Sequence, residues 1–185
     1  MVFRLRRMRP MDPLQVAMTG VRMGERVLQI ACDDKVLLSG VASKVGLSGT
    51  AALAVTDAEQ AARGRAAAAK AGILLDLHVG PLDALAFESG AFDMVVIDDT
   101  RGRLADLDPV ARDACLREAW RVLRPGGRVE VIERVGGGWF GNRATVSGDY
   151  AAGGGAEAAL ARAGFAPVRQ LIEKDGFRFV EGLRA

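Results

Sequence analysis

The sequence is poor in cysteine and histidine, and it has no long apolar run. Cys32 and Cys115 are its two cysteines, too few for the disulfide framework of a small secreted domain, and this favours a reducing, cytoplasmic location. No apolar stretch approaches the roughly 20 residues that cross a bilayer, so we expect no membrane span. The first residues also lack the uninterrupted apolar run and small-residue cleavage site of a signal peptide.

Acidic residues are missing from the N-terminus. Residues 1–11 contain four arginines and no acid, while the net charge of the whole chain is +2. The remainder is therefore slightly acidic, which argues against a general nucleic-acid surface, and no nucleic-acid partner is expected. We interpret residues 1–11 as a basic tail, either solvated or touching anionic lipid or RNA, and residues 12–185 as a single domain.

Hydrophobic periodicity divides residues 12–185 into alternating strands and helices. Strands are predicted at residues 27–31, 51–55, 75–79, 92–97 and 128–132, and helices at 13–18, 36–45, 58–71, 109–123 and 156–163. Two further β-rich runs, 167–173 and 177–183, are joined through Asp175-Gly176, a strong hairpin signal. The expected fold is therefore α/β: a Rossmann-like, doubly wound, mostly parallel seven-stranded sheet with a C-terminal antiparallel hairpin.

The turn after the first strand lacks glycine. It reads Cys32-Asp33-Asp34, and an acid, Asp57, follows the second strand. A strand, a turn, a helix, a second strand and a terminal acid in this order are typical of a doubly wound sheet that holds a nucleoside. Such a turn normally carries glycines because the backbone approaches the ligand closely there. The first turn of this chain therefore departs from the glycine-rich form.

Three stretches in the second half of the chain carry a family resemblance. They are LDALAFESGAFDMVVID at 82–98, LREAWRVLRPGGRVEVIE at 116–133 and GFAPVRQLIEKDGFRFVEGLR at 164–184. They resemble class I S-adenosylmethionine-dependent methyltransferases, in particular the small ubiquinone/menaquinone-biosynthesis-like (type 11) group. The resemblance covers residues 14–183. It implies S-adenosylmethionine as the cofactor and methyl transfer to a small or medium-sized acceptor molecule.

The chain departs from this family at the first turn. Where the family has an acid followed by alternating glycines, this chain has Gln29, Ala31, Asp33 and Lys35, with Cys32 between them. Side chains at close-approach positions occupy ligand volume. Asp33 would also face the methionine carboxylate of the cofactor, and two like charges about 4 Å apart cost about 4 kcal/mol at an effective dielectric near 20. Lys35 could offset this repulsion by pairing with the same carboxylate.

Two later positions complete the cofactor site that the resemblance implies. Asp57 matches the family acid that accepts hydrogen bonds from the ribose hydroxyls, although a helix N-cap explains an acid there equally well. The adenine-reading acid of the family falls on Pro81, and Asp83 is its only substitute. The expected cofactor-binding residues are Gln29, Ala31, Cys32, Asp33, Asp57, Leu82, Asp83 and Asp98.

Acidic residues follow most of the predicted parallel strands. They are Asp33, Asp34, Asp57, Asp83, Asp98, Asp99 and Glu133. Sheets of this kind bind ligands beyond the carboxyl ends of their strands, and an acidic rim suits a sulfonium cation. Methyl transfer depends mainly on alignment; where a base is needed, Asp98 and Asp99 are the expected catalytic residues. The same acids would also suit a divalent metal, but no His or Asn joins them, and no metal ligand is assigned.

The altered first turn leaves a second hypothesis open. A methyltransferase-like protein that has lost catalysis would act as a binding or assembly module, with a constant partner or as a homodimer. The glycine-rich segment 134–155 holds Trp139, Phe140 and Tyr150, which would either cover an apolar acceptor as a lid or form a mobile or oligomer-contacting loop. His78 is expected to be an ordinary strand residue and Cys32 a small buried one.

Overall fold

The computed structural model describes residues 12–135 and 148–185. Its sheet has seven strands in the order β3-β2-β1-β4-β5-β7-β6. The strands are β1 (Arg26–Ile30), β2 (Thr50–Val55), β3 (Asp76–Val79), β4 (Phe92–Asp99), β5 (Leu123–Arg134), β6 (Val168–Lys174) and β7 (Phe177–Leu183). The first five strands run parallel, and β7 lies antiparallel to both β5 and β6. The predicted α/β fold is confirmed.

The three longest helices begin at aspartate caps. The helices are α1 (Leu14–Met18), α2 (Lys35–Val45), α3 (Ala58–Ala71), α4 (Pro109–Val122), α5 (Gly148–Ala152) and α6 (Gly155–Arg162). The Asp57 carboxylate accepts from the Gln60 amide at the start of α3. Asp108 accepts from two amides at the start of α4, and Pro109 occupies the first turn. These side chains satisfy amides that have no partner within the helix.

The core lies on both faces of the sheet. One face of the sheet, with residues such as Leu28, Ile97 and Val131, packs in the same apolar cluster as Leu116 of α4 and Leu160 of α6. The other face packs against residues of α1 and α2. Strands covered on both faces must be apolar throughout, which explains the continuous apolar runs in the sequence. Since successive side chains of a strand point to opposite faces, Asp98 and Asp99 at the end of β4 point to different faces.

Two parts of the fold differ from the sequence prediction. β5 begins at Leu123, so Pro125-Gly126-Gly127 lies within the strand rather than before it, and the pairing register with β4 shifts at this point. Segment 134–155, predicted to be irregular, contains the short helix α5. The basic tail (1–11) and residues 136–147, including Trp139 and Phe140, lie outside the described residues. Within the described part, no helix combines the length and apolar character needed to span a membrane.

Candidate functional site

A cavity opens where the strand order reverses. β1 and β4 are neighbours in the sheet, although their connections lead to opposite sides, and ligands of doubly wound sheets bind at this switch point. The cavity has a volume of 240 Å³. Its lining comprises Ile30, Ala31, Val55, Thr56, Gln60, Leu82, Ile97, Asp98, Arg103, Leu104, Asp106, Leu107 and Cys115. Mostly apolar walls with a few polar groups are typical of small-molecule sites.

The first turn keeps a glycine-like backbone without glycine. Ala31 has a φ of 65°, in the left-handed region that costs a non-glycine residue roughly 1–2 kcal/mol. Its amide donates to the Ala54 carbonyl at 2.9 Å, and the Gln29 side-chain amide donates to the Ala31 carbonyl at 2.9 Å. The next amide, that of Cys32, donates to the Gln60 side chain at 3.0 Å. These contacts hold the chain in the shape that glycine would favour, so the turn places only a methyl group at the cavity.

Asp98 fixes the position of this turn. One of its carboxylate oxygens accepts from the amides of Asp33 at 2.9 Å and Asp34 at 2.7 Å. The other accepts from the amide and the hydroxyl of Thr100, at 3.2 Å and 2.6 Å. Burial raises the pKa of the Asp98 carboxyl, and these four donors oppose that shift. A carboxylate has about four acceptor sites, so Asp98 is fully engaged and acts as a positioning residue.

Asp33 is neutralised by two arginines. Its side chain is 1% exposed, and it pairs with Arg63 at 3.2 Å. Arg103 binds both of its oxygens, at 2.5 Å and 3.0 Å, and this contact raises the pKa of the Arg103 guanidinium. The two guanidiniums are shared with other acids, since Arg63 also pairs with Glu59 at 2.6 Å and Arg103 lies 3.9 Å from Asp57. The charge of Asp33 itself is nevertheless compensated by direct ion pairs, which reduce the repulsion expected between Asp33 and a ligand carboxylate.

Asp57 serves as the N-cap of α3 and still faces solvent. Its two oxygens accept from the backbone and side-chain amides of Gln60, both of which lower the pKa of the carboxyl. The Asp57 side chain is 45% exposed, and a nitrogen of Arg103 lies 3.9 Å from its Oδ2. The N-cap interpretation is thus confirmed. The carboxylate retains exposed lone pairs at the carboxyl end of β2, where a hydroxyl-bearing ligand would reach it.

The predicted cofactor-binding residues occupy three kinds of position. Leu82 lines the cavity, as do Ala31 and Asp98, whereas Asp83 is exposed and is not part of the lining. Gln29 and Cys32 are buried behind the turn and act on it through hydrogen bonds. Burial, with the nearby charge of Asp98, raises the pKa of the Cys32 thiol to about 11. This thiol is therefore an inert core residue, as expected, and not a nucleophile.

Asp99 belongs to a second, closed acidic cluster. It pairs in register with Glu133 of β5, and both side chains are buried. One Asp99 oxygen accepts from the Leu104 amide at 2.7 Å, while the other has no hydrogen-bond donor among the described residues. Burial and the charge of Glu133 raise the pKa of the Asp99 carboxyl to about 8. Asp99 is the less engaged of the two predicted catalytic acids.

Tyr150 lies beside this acidic cluster and is not part of a lid. Its side chain is buried in the core, and its ring packs 4.4 Å from the Arg112 guanidinium. Burial and the Glu133 charge raise the pKa of the Tyr150 hydroxyl. The lid interpretation is therefore wrong for Tyr150, because an aromatic ring packed in the core cannot fold over an acceptor.

Four polar residues of the cavity lining were not predicted from the sequence: Thr56, Gln60, Arg103 and Asp106. Gln60 bonds both to Cys32 and to Asp57, and it is recognisable in the sequence only as the third residue of a capped helix. Arg103 and Asp106 follow the acids that end β4, in the loop beyond the carboxyl end of a parallel strand, where ligands of such sheets bind. No group of His, Cys, Asp and Glu side chains in residues 12–135 and 148–185 is arranged to hold a metal ion.

The family of the chain follows from comparison with known proteins. A family model described as a methyltransferase domain matches residues 28–131, from β1 to β5. This chain belongs to the class I S-adenosylmethionine-dependent methyltransferases. The family assignment implies S-adenosylmethionine as the cofactor, and it confirms the resemblance seen in the sequence.

Proteins similar to this methyltransferase in sequence include ubiquinone/menaquinone biosynthesis C-methyltransferases. The Chromobacterium violaceum protein is 31% identical over 115 residues, which cover 62% of this chain and 45% of the relative. The Stenotrophomonas maltophilia (strain R551-3) protein is 32% identical over 129 residues, which cover 68% of this chain and 49% of that relative. The chain thus spans about half the length of the curated relatives that it matches.

Solved structures show the same fold at low sequence identity. A SAM-dependent methyltransferase from Aquifex aeolicus superposes with a TM-score of 0.74 at 16% identity, covering 92% of this chain and 87% of that one. The [4+2]-cyclase SpnF superposes with a TM-score of 0.61 at 22% identity, covering 85% of this chain and 57% of the cyclase. Since a cyclase shares the fold, the architecture alone does not decide the reaction.

The residues around the cavity fit an adenosyl group. The volume of 240 Å³ is close to the lower end of the roughly 300–1,000 Å³ of small-molecule sites. The left-handed backbone at Ala31 preserves the close approach, and the exposed Asp57 carboxylate lies at the adjacent strand end. Arg103 reaches from Asp33 towards Asp57 across the mouth, so a rotation of this side chain would widen the site.

Proposed function

We propose that this protein transfers a methyl group from S-adenosylmethionine to a small or medium-sized acceptor molecule. The observation that supports this function best is the cavity at the switch point between β1 and β4, in a chain of this family. Its apolar walls suit the adenosine moiety. The acids Asp98 and Asp106 in its lining suit the positive sulfonium.

The chain contributes alignment rather than covalent chemistry. S-adenosylmethionine supplies an electrophilic methyl group when it is bound, and the protein must hold an acceptor atom in line with that group. Asp98 holds the first turn through the amides of Asp33 and Asp34. Asp57 provides acceptors for hydroxyl groups, and Leu82 provides an apolar wall.

We propose that neither of the two predicted catalytic acids serves as a base. Asp98 has no free acceptor site, because all four positions of its carboxylate accept hydrogen bonds. One Asp99 oxygen has no donor among the described residues, but the Asp99 side chain is buried and does not line the cavity, so a bound acceptor would not reach it. Methyl transfer by this chain would therefore depend on alignment of the acceptor atom with the methyl group.

Calorimetric titration with S-adenosylmethionine and S-adenosylhomocysteine tests the cofactor site. Leu82→Trp fills the cavity wall, whereas Leu74→Trp places the same side chain at a position that is 94% exposed and outside the lining. We expect wild type and Leu74→Trp to bind equally, and Leu82→Trp to bind at least ~10-fold more weakly, since a buried clash costs 1–3 kcal/mol.

Two results would contradict the proposal. The absence of heat at millimolar cofactor would favour the inactive binding-module hypothesis, and equal binding by Leu82→Trp would place the cofactor elsewhere. Where the cofactor binds, mass spectrometry of reactions with a panel of small phenols, amines and carboxylic acids tests transfer itself. A panel that shows no methylated product with an intact cofactor complex would restrict this chain to binding.

A further inference from the structure

A wider groove adjoins the cofactor cavity. It has a volume of 930 Å³ and lies in front of the turn between β1 and α2. Asp33 in the groove wall bonds to Arg103 of the cavity, and Thr100 in the groove wall donates to Asp98 of the cavity at 2.6 Å. Two hydrogen-bonded pairs of side chains therefore connect the walls of the two spaces. A molecule in the groove would lie next to whatever occupies the cavity.

The groove carries unpaired positive charge. Lys35, Arg63, Arg101 and Arg134 line it, together with the carboxylates of Asp33 and Asp34. Both carboxylates are already engaged: Asp33 is buried between two arginines, and Asp34 accepts from two amides of α2.

Three of the groove cations have no acidic partner. Within residues 12–135 and 148–185, Lys35, Arg101 and Arg134 form no ion pair. Residues 1–11 and 136–147 contain no Asp or Glu that could supply one. The groove therefore presents a positive field to solvent, and it would attract an anion.

The same groove offers apolar contact surface. The guanidinium of Arg134 lies 5.2 Å from the centre of the Phe177 ring, so the cation and the ring form one wall. Val36, which is 47% exposed, adds a second apolar patch. Cationic groups beside an aromatic face suit a ligand that has an apolar, planar body and a charged end.

We propose that this groove binds the methyl acceptor and that the acceptor is an apolar molecule bearing a carboxylate or a similar anionic group. Lys35, Arg101 and Arg134 would bind the charged end, and Phe177 and Val36 the apolar body. The role of the bound molecule as an acceptor rests on the proposed methyltransferase function. The binding of the anion does not depend on it.

The first experiment compares 4-hydroxybenzoate with 4-hydroxybenzamide, which has the same shape without the charge. Both are titrated by saturation-transfer NMR against the free protein and the protein saturated with S-adenosylhomocysteine. We expect 4-hydroxybenzoate to bind at least ~5-fold more tightly than 4-hydroxybenzamide. Each of Arg101→Gln and Arg134→Gln should reduce this difference in affinity. Arg117→Gln removes an exposed arginine of α4 outside the groove and should change nothing. Raising the salt from about 0.01 M to about 1 M should abolish the preference.

The second experiment asks whether the groove binds the cofactor's own carboxylate instead. S-adenosylhomocysteine carries this group, and 5′-methylthioadenosine lacks it. We expect Arg101→Gln and Arg134→Gln to leave the affinities for both compounds unchanged. A selective loss for S-adenosylhomocysteine would assign the groove to the cofactor and overturn the proposal. Equal binding of the two benzene derivatives, or binding of neither, would also overturn it. Failure of S-adenosylhomocysteine to bind would refute the proposed function, while the titrations of the free protein would still test the groove.

Discussion

Replacing Asp98 with asparagine distinguishes a positioning residue from a catalytic base. The carboxylate accepts two amides on one oxygen and the amide and hydroxyl of Thr100 on the other. An asparagine has a single oxygen, so its NH₂ group must face two of these donors. The substitution therefore keeps the shape of the side chain and removes half of its hydrogen bonds.

The expected loss of stability follows from those bonds. A hydrogen bond to a charged group contributes roughly 1.5–3 kcal/mol, so two lost bonds cost about 3–6 kcal/mol. Removing a buried charge relieves part of this cost, because burial raises the pKa of the Asp98 carboxyl. We expect Asp98→Asn to lower the free energy of unfolding by about 3 kcal/mol. Since small domains are stable by roughly 5–15 kcal/mol, the variant should still fold.

Urea denaturation and titration with S-adenosylhomocysteine measure the two consequences. We expect Asp98→Asn to weaken both stability and affinity, because the amides of Asp33 and Asp34 lose their anchor. Thr100→Val, which removes only the hydroxyl donor, should lower the free energy of unfolding by about 1.5–3 kcal/mol and leave the affinity nearly unchanged. If Asp98→Asn changed stability by less than about 1 kcal/mol, kept the affinity and lowered only turnover, the positioning role would be refuted.

Four further substitutions test the groups around the site by urea denaturation. Because the folded carboxyl of Asp99 holds its proton up to about pH 8, whereas an unfolded one loses it near 3.8, its contribution to stability falls as pH rises between these values. The free energy of unfolding should therefore fall less steeply with pH in Asp99→Asn than in the wild type, by up to ~1.4 kcal/mol per pH unit between about pH 5 and 8. An unchanged slope would contradict this. Arg63→Gln and Arg103→Gln should each lower the free energy of unfolding by about 1 kcal/mol. The double variant should lose about 3–5 kcal/mol, because Asp33 is then buried without an ion-pair partner, and additive losses would contradict this. Ala31→Gly should stabilise by up to ~1 kcal/mol, since relief of the left-handed strain exceeds the added chain entropy, and a clear loss would show that the turn is unstrained.

Local signals in the sequence predicted most of the fold. The carboxylates of Asp57 and Asp108 cap their helices because short acceptors compete well for the first free amides. Asp175 and Gly176 turn the hairpin with φ values of 53° and 78°, the left-handed pair that Asp-Gly favours. The apolar run of β4 is of the kind that burial on both faces of a sheet produces. Each of these features depends on residues close together in the chain.

The site was less predictable because its contacts are distant in sequence. Asp33 pairs with arginines 30 and 70 residues away, so its sequence neighbours gave no indication that its charge is neutralised. The left-handed backbone at Ala31 is imposed by hydrogen bonds to β2 and Gln29, against the preference of alanine. The fifth strand was predicted to begin at residue 128, after the proline and glycines, whereas the sheet accommodates these residues within β5 by a shift in register.

A crystal structure with S-adenosylhomocysteine tests the proposed cofactor site most directly. We predict density for the adenosyl group against Leu82 and Leu107, a ribose within hydrogen-bonding distance of Asp57, and an Arg103 side chain rotated away from that carboxylate. An empty cavity in crystals soaked at saturating ligand, with Arg103 still bridging Asp33 and Asp57, would contradict the proposed cofactor site.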